Sequence, residues 1–217
     1  LMIGVVAGAG SSLSTSDEWV EIWIMSDDPL SLRGYRLDGA GGEEGILFRE
    51  QDSIPAHGTF LIANFSSTDT RSSLTVVPDM VTSTLSLSNE KLQLALLNTT
   101  GQSIDLAGDG KTHFAGTSTQ NKVSMTRLSG THAGDVLSSW KSSTEAVHLK
   151  NDVTDLGTPG KCDGCFQTTS SPSSPEEILP VSSSEAIPVP DIHPETIKPV
   201  EVPIPLVTAP PPSDTEP

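Results

Sequence analysis

From Trp19 to Ile24 the chain reads WVEIWI, with Val20, Ile22 and Ile24 at every second position. An apolar residue at each alternate place is the period of a half-buried strand, whose successive side chains point to opposite faces. Phe60 with Ile62, and Leu92, Leu94 and Leu96, repeat the pattern. Turn-forming clusters separate these runs at Asp28-Pro29, Asp38-Gly39-Ala40-Gly41-Gly42, Pro55-Ala56-His57-Gly58, Asn98-Thr99-Thr100-Gly101 and Gly108-Asp109-Gly110. Short strands between such signals, with no helical stretch of comparable length, predict an all-β sandwich or barrel. KLQLALLNTTGQSIDL is the clearest hairpin, pairing Leu92–Leu97 with Gln102–Leu106 around Gly101, which is free to take positive φ.

The second constraint is a break near residue 166. Thirteen of the 17 prolines lie beyond it, and Lys198 is its only Lys or Arg. Closely spaced prolines remove amide donors and fix φ, so neither a helix nor a ladder propagates. Residues 166–217 are therefore expected to be a disordered, acidic, Pro/Ser-rich linker or tail with polyproline II character. Residues 1–165 are expected to form one domain. LMIGVVAGAGSSLS at the start has the apolar run of a secretory leader without its basic flank, and reads as a first strand. The expected core is single and combines Val20, Ile22, Ile24, Leu30, Leu32, Tyr35, Leu37, Phe48, Phe60, Ile62, Leu85, Leu87, Leu94, Leu96, Ile104 and Trp140. No run approaches the ~20 apolar residues that a spanning helix requires.

The formal net charge of −16 disfavours nucleic acid as a direct partner, because a phosphate backbone repels such a chain. Five acids crowd DEWVEIWIMSDDPLSLRGYRL: Asp17, Glu18, Glu21, Asp27 and Asp28. Glycoside hydrolysis needs two carboxyl groups at a set separation, one of them with a raised pKa. Glu18 and Glu21 are three apart and so face opposite sides of a strand, while Asp27 and Asp28 precede a proline that turns the chain. All five read as solvated edge or turn residues, and no catalytic residue is expected. DLAGDGKTH offers Asp105, Asp109 and His113, but the full calcium-loop pattern is absent, and neither a metal nor a cofactor is expected. Asn64-Phe65-Ser66 and Asn98-Thr99-Thr100 have the form of glycosylation acceptors and read otherwise as turns.

Cys162 and Cys165 form one C-x-x-C without a second ligand pair. A disulfide loop at the end of the domain, two free thiols, and bonds between chains are all open; the first favours an oxidising compartment. Trp19 and Trp23 share the strand face opposite Val20. Exposed, they would make a contact surface for a protein or carbohydrate partner; covered, they belong to the core.

The order of these pieces resembles the lamin-tail domain family. EWVEIW followed by DDPLSLRGYRL is similar to its opening strand, turn and Leu-x-Gly-aromatic-x-Leu strand. SIPAHGTFLIAN is similar to its Pro-x-Gly-x-aromatic strand, and LSLSNEKLQLALLNTTGQSID to its Leu-x-Leu-x-Asn strand and hairpin. SMTRL, SSWKS and GTPGK resemble its closing elements. One departure is Ile24-Met25-Ser26, where the family carries Asn, often Asn-Pro. The resemblance covers roughly residues 1–161 and implies an immunoglobulin-like β-sandwich of the secreted bacterial branch. It further implies a non-catalytic structural or binding module, a spacer or adhesion domain that is extracellular or at the cell surface. The alternative is an accessory domain of a larger secreted enzyme such as a nuclease or hydrolase. Limited proteolysis should trim the chain to a resistant core ending near residues 160–166; a protected fragment reaching past that boundary would contradict the division.

Overall fold

The computed structural model describes residues 1–119, 121–128 and 133–162. Among them the chain forms twelve strands and one 3-10 turn, with no α-helix. Its fold is nearly all-β with several sheets, in a sandwich-like arrangement. β1 (Met2–Ala7), β2 (Trp19–Trp23), β7 (Thr59–Ala63), β8 (Met80–Val81), β11 (Met125–Arg127) and β12 (Trp140–Ser142) make a six-stranded sheet ordered β12-β11-β1-β2-β7-β8. β4 (Arg36–Asp38), β5 (Ile46–Leu47), β9 (Leu94–Leu97) and β10 (Ser103–Ala107) make a four-stranded sheet ordered β10-β9-β4-β5. β3 (Leu30–Ser31) and β6 (Ser53–Ile54) form a short ribbon. Every pairing between these strands is antiparallel except β7 with β8.

The main core lies between the two larger sheets. Ile3, Val6, Val20, Ile22, Phe60, Ile62, Met125 and Trp140 from one meet Leu37, Ile46, Leu94, Leu96 and Ala107 from the other. Phe48 closes the space edge-on to Phe60, with ring centroids 5.5 Å apart. β2 behaves as its alternation predicts: Val20 and Ile22 enter this core while Trp19, Glu21 and Trp23 point the other way. The hairpin of β9 and β10 turns at Gly101, which has φ 79°.

Two expectations about the core need correction. First, there are two buried apolar clusters among the described residues. The outer face of the six-stranded sheet is itself covered, and Met2, Val5, Trp19, Trp23 and Leu61 pack there against Leu74 and Cys162. The cover consists of irregular segments held by single bridges: Leu74 pairs with Leu149, and Ala146 with Gly157. Second, Ile104 is 41% exposed. The register between β9 and β10 shifts between Ser103 and Asp105, so Ile104 is the extra residue of a bulge and points outward. Leu30 and Tyr35 are only partly buried at the rim of the main core.

β1 carries a bulge of its own, between Ile3 and Val5, which changes the phase of the strand. Ile3 and Val6 therefore both face the main core, and Met2 and Val5 both face the outer cluster. Gly4 sits at this bulge beneath Trp23, and a Cβ placed there would lie 2.1 Å from the indole. Gly4→Ala should therefore destabilise the fold by about 1–3 kcal/mol, the usual cost of overpacking. Urea unfolding followed by tryptophan fluorescence would read this, and an unchanged midpoint would contradict the packing.

Candidate functional site

The acids of the opening stretch are where the structure departs most from expectation. Asp27 and Asp28 are exposed at the turn, as their place before Pro29 suggests. Asp17 and Glu21 are fully buried and Glu18 is 8% exposed. Glu18 and Glu21 do face opposite sides of the sheet, but both are buried, Glu21 fully and Glu18 with one edge on a groove. Each instead accepts a backbone N–H from a segment far away in sequence. Asp17 Oδ2 takes Ser73 N at 2.6 Å, and Glu18 Oε2 takes Leu87 N at 3.1 Å. Glu21 takes Gly160 N on Oε2 and the Trp23 indole N–H on Oε1, the latter at 2.6 Å.

Burial decides the charge of the two glutamates. Desolvation pushes the Glu21 carboxyl up to about 8, against the pull of the Trp23 and Gly160 donors and aided by repulsion from Asp79. It pushes Glu18 up to about 7, against the Leu87 N–H. Asp79, which accepts Leu61 N at 2.7 Å, is also raised by burial. The outer cover gathers around Glu21: His148 Nδ1 lies 2.7 Å from Pro159 O, and Gly160 turns there with φ 74°.

Trp19 and Trp23 are each 3% exposed. The cover over the outer face buries them, which is the core alternative for this pair. Cys162 is disulfide-bonded and packs into the same cluster; Cys165 lies outside the described residues. Asp105 and Asp109 each face a basic side chain of their own, Arg127 and Lys111 respectively. Asp105 pairs with Arg127, Oδ1 to Nη2 at 2.9 Å, and receives Ile3 N at 2.7 Å. Among the described residues no group of three or more His, Cys, Asp or Glu could hold a metal ion. Asn98 shapes its hairpin turn, its Oδ1 accepting from Thr100 N and Gln102 N, both at 3.0 Å.

Glu18 opens onto a groove of about 440 Å³ at the end of the six-stranded sheet. Asn64, Phe65, Arg71, Ser83 and Ser86 share its lining. Glu18 and Asn64 are cross-strand neighbours, one step beyond the Trp19–Ala63 pair, with Asn64 N bonded to Glu18 O at 3.0 Å. Arg71 is held twice: its guanidinium grips Asp69 at 2.8 Å and sits 4.0 Å from the centre of the Phe65 ring. That grip lowers Asp69 to about 2. The lining contains a single acid, so the paired carboxyl groups of a glycosidase are not assembled. A second hollow, of about 240 Å³, lies against β1, lined by Val6, Ala115, Val123 and Met125 with His113; burial lowers the His113 pKa.

Sequence reading missed this groove because its parts come from three separate segments, and Asn64-Phe65-Ser66 reads as a sequon. A usable signal was there: Glu18 has the same phase as Val20 and Ile22, which places a carboxylate on the core-facing side. Comparison with family models, with curated proteins and with solved structures finds no match.

The raised carboxyls predict an unusual pH response. Between their ordinary 4.5 and about 7 to 8, the folded chain holds protons that the unfolded chain has released. Stability from these groups is thus fully present below about 4.5 and falls as pH rises, by up to about 1.4 kcal/mol per pH unit for each proton held. Urea unfolding from about pH 5 to about pH 9 should show this decline. Glu21→Gln should flatten the slope while lowering stability, since an amide cannot accept both N–H groups; an equally steep slope in the variant would show that Glu21 is not its source.

Proposed function

We propose that residues 1–165 form an immunoglobulin-like β-sandwich of lamin-tail type, acting as a non-catalytic structural or binding module outside the cell or at its surface. Residues 166–217 serve it as a spacer. One observation carries the non-catalytic reading. The buried acids, where catalysis would be sought, are occupied in holding backbone amides of distant segments: Ser73, Leu87 and Gly160. Such bonds satisfy donors that would otherwise be stranded in the interior. The polar groove presents one acid with a carboxamide beside it, which suits recognition better than proton transfer between paired acids.

The two sheets enclosing one main core agree with the sandwich architecture, and the disulfide at Cys162 agrees with an oxidising compartment. Brief protease treatment of intact cells that make the chain should release peptides from the Pro-rich segment while a cytoplasmic marker stays whole. Cleavage seen only after lysis overturns the surface assignment. Purified protein should hydrolyse no nitrophenyl glycoside or ester, and turnover that disappears in Glu18→Gln would overturn the non-catalytic reading.

A further inference from the structure

The Glu18 groove contains two acceptors that the fold leaves unused. Glu18 spends Oε2 on Leu87 N, and Oε1 is neither bonded nor sealed from solvent. Asn64 donates Nδ2 to Leu85 O at 2.8 Å, which leaves Oδ1 in the same condition. The bond to Leu85 also fixes which end of the amide does what, so the free atom is an acceptor. Because the two residues are opposite each other on adjacent strands, their free oxygens can serve neighbouring groups of one ligand. Thr15 and Ser16, from the turn before β2, and Ser83 and Ser86, from the segment after β8, add hydroxyls that either donate or accept.

Charge narrows the choice of ligand. An anion would meet Glu18, whereas a cation would meet the Arg71 guanidinium that Asp69 and Phe65 hold in place. A neutral molecule with adjacent hydroxyls meets neither conflict: it donates to the two fixed oxygens and accepts from the serines. The volume, about 440 Å³, falls within the usual size range of small-ligand sites. We infer that this groove is a saccharide subsite, in which Glu18 Oε1 and Asn64 Oδ1 accept hydrogen bonds from two neighbouring hydroxyls of one sugar ring. The inference rests on the binding-module reading above and adds to it a place and a ligand class.

Amide chemical shifts of the full chain report it directly, because Leu87 N–H is bonded to the same carboxyl that takes the sugar. Titration at about pH 8.5, above the raised Glu18 pKa so that Oε1 is an acceptor, with glucose, galactose, mannose and N-acetylglucosamine, each up to roughly the tens of millimolar at which weak sites fill, should move Leu87, Asn64, Ser83 and Ser86 for at least one sugar. Glu18→Gln turns a donor toward the groove and should weaken binding about tenfold, the usual cost of a lost polar contact in such a site. Should that variant fail to fold, Ser86→Trp, at an exposed position, fills the groove and should abolish the shifts. Overturning results are shifts with butylammonium chloride and with no sugar, sugar shifts centred elsewhere or undiminished in the variants, or no response to any of the four sugars. A chain displayed on cells that binds no sugar retires this inference alone; a sugar-binding chain found only inside cells retires the surface reading alone.

Discussion

The fold depends on carboxylates that accept backbone N–H groups from segments distant in sequence. Twelve strands, most of two to five residues, leave long irregular stretches whose amides have no ladder to join. Buried donors of that kind must find acceptors or the interior is lost to water. Asp17, Glu18, Glu21, Asp105 and Asp155 supply them, reaching Ser73, Leu87, Gly160, Ile3 and Ser12 respectively. Asp79 does the same at the sheet edge, where β8 is too short to satisfy Leu61. The acidity of the folded region is therefore partly a structural material, and the formal charge overstates what the surface presents.

That economy also separates structural acids from the one with something left over. Glu21 has both oxygens engaged, and Asp105 faces a guanidinium that is itself bonded to Ile3 O and Leu106 O. Arg127 in turn lies 4.9 Å from the Trp140 ring centre, so a buried cation links β11 to β10 and β12 within the core. Asp17 Oδ1 lacks a partner but is sealed. Glu18 alone in the opening stretch combines burial, a spare oxygen and access to a groove. Recognition and architecture thus share one carboxyl group, and a ligand at Oε1 would act on the same side chain that fixes Leu87.

How much of this the sequence revealed follows from the range of the interactions. Val20 and Ile22 were legible because period two is a local property of a strand, and Gly101 because a tight hairpin turn has few chemical solutions. The outer cover was not: Leu74, Leu149 and Cys162 carry no periodicity, and they come together only across the completed sheet. The burial of Glu18 and Glu21 was hidden for a different reason. Charged residues are seldom fully buried unless paired, and here the partners are backbone amides, which every sequence has and none advertises. Ile104 was misplaced because a bulge of one residue reverses all later parity. Of the candidate site, Asn64 and Phe65 were seen as a sequon, while Arg71, Ser83 and Ser86 were not seen at all.

The bond between Glu21 and Gly160 spans 139 positions, and it sets an order of events during synthesis. β2 is made early, whereas part of the roof over its outer face, Leu149, Gly160 and Cys162, comes late in the described domain, after Leu74. Until they arrive, Trp19 and Trp23 lack part of their cover, and the Glu21 carboxyl lacks its Gly160 donor and part of the burial that raises its pKa. Closure then brings two indoles out of solvent and raises the affinity of a carboxylate for a proton in the same act. Completion of this domain is therefore coupled to proton uptake, so a chain emerging into a mildly acidic space would close its outer layer more firmly than one emerging into an alkaline one.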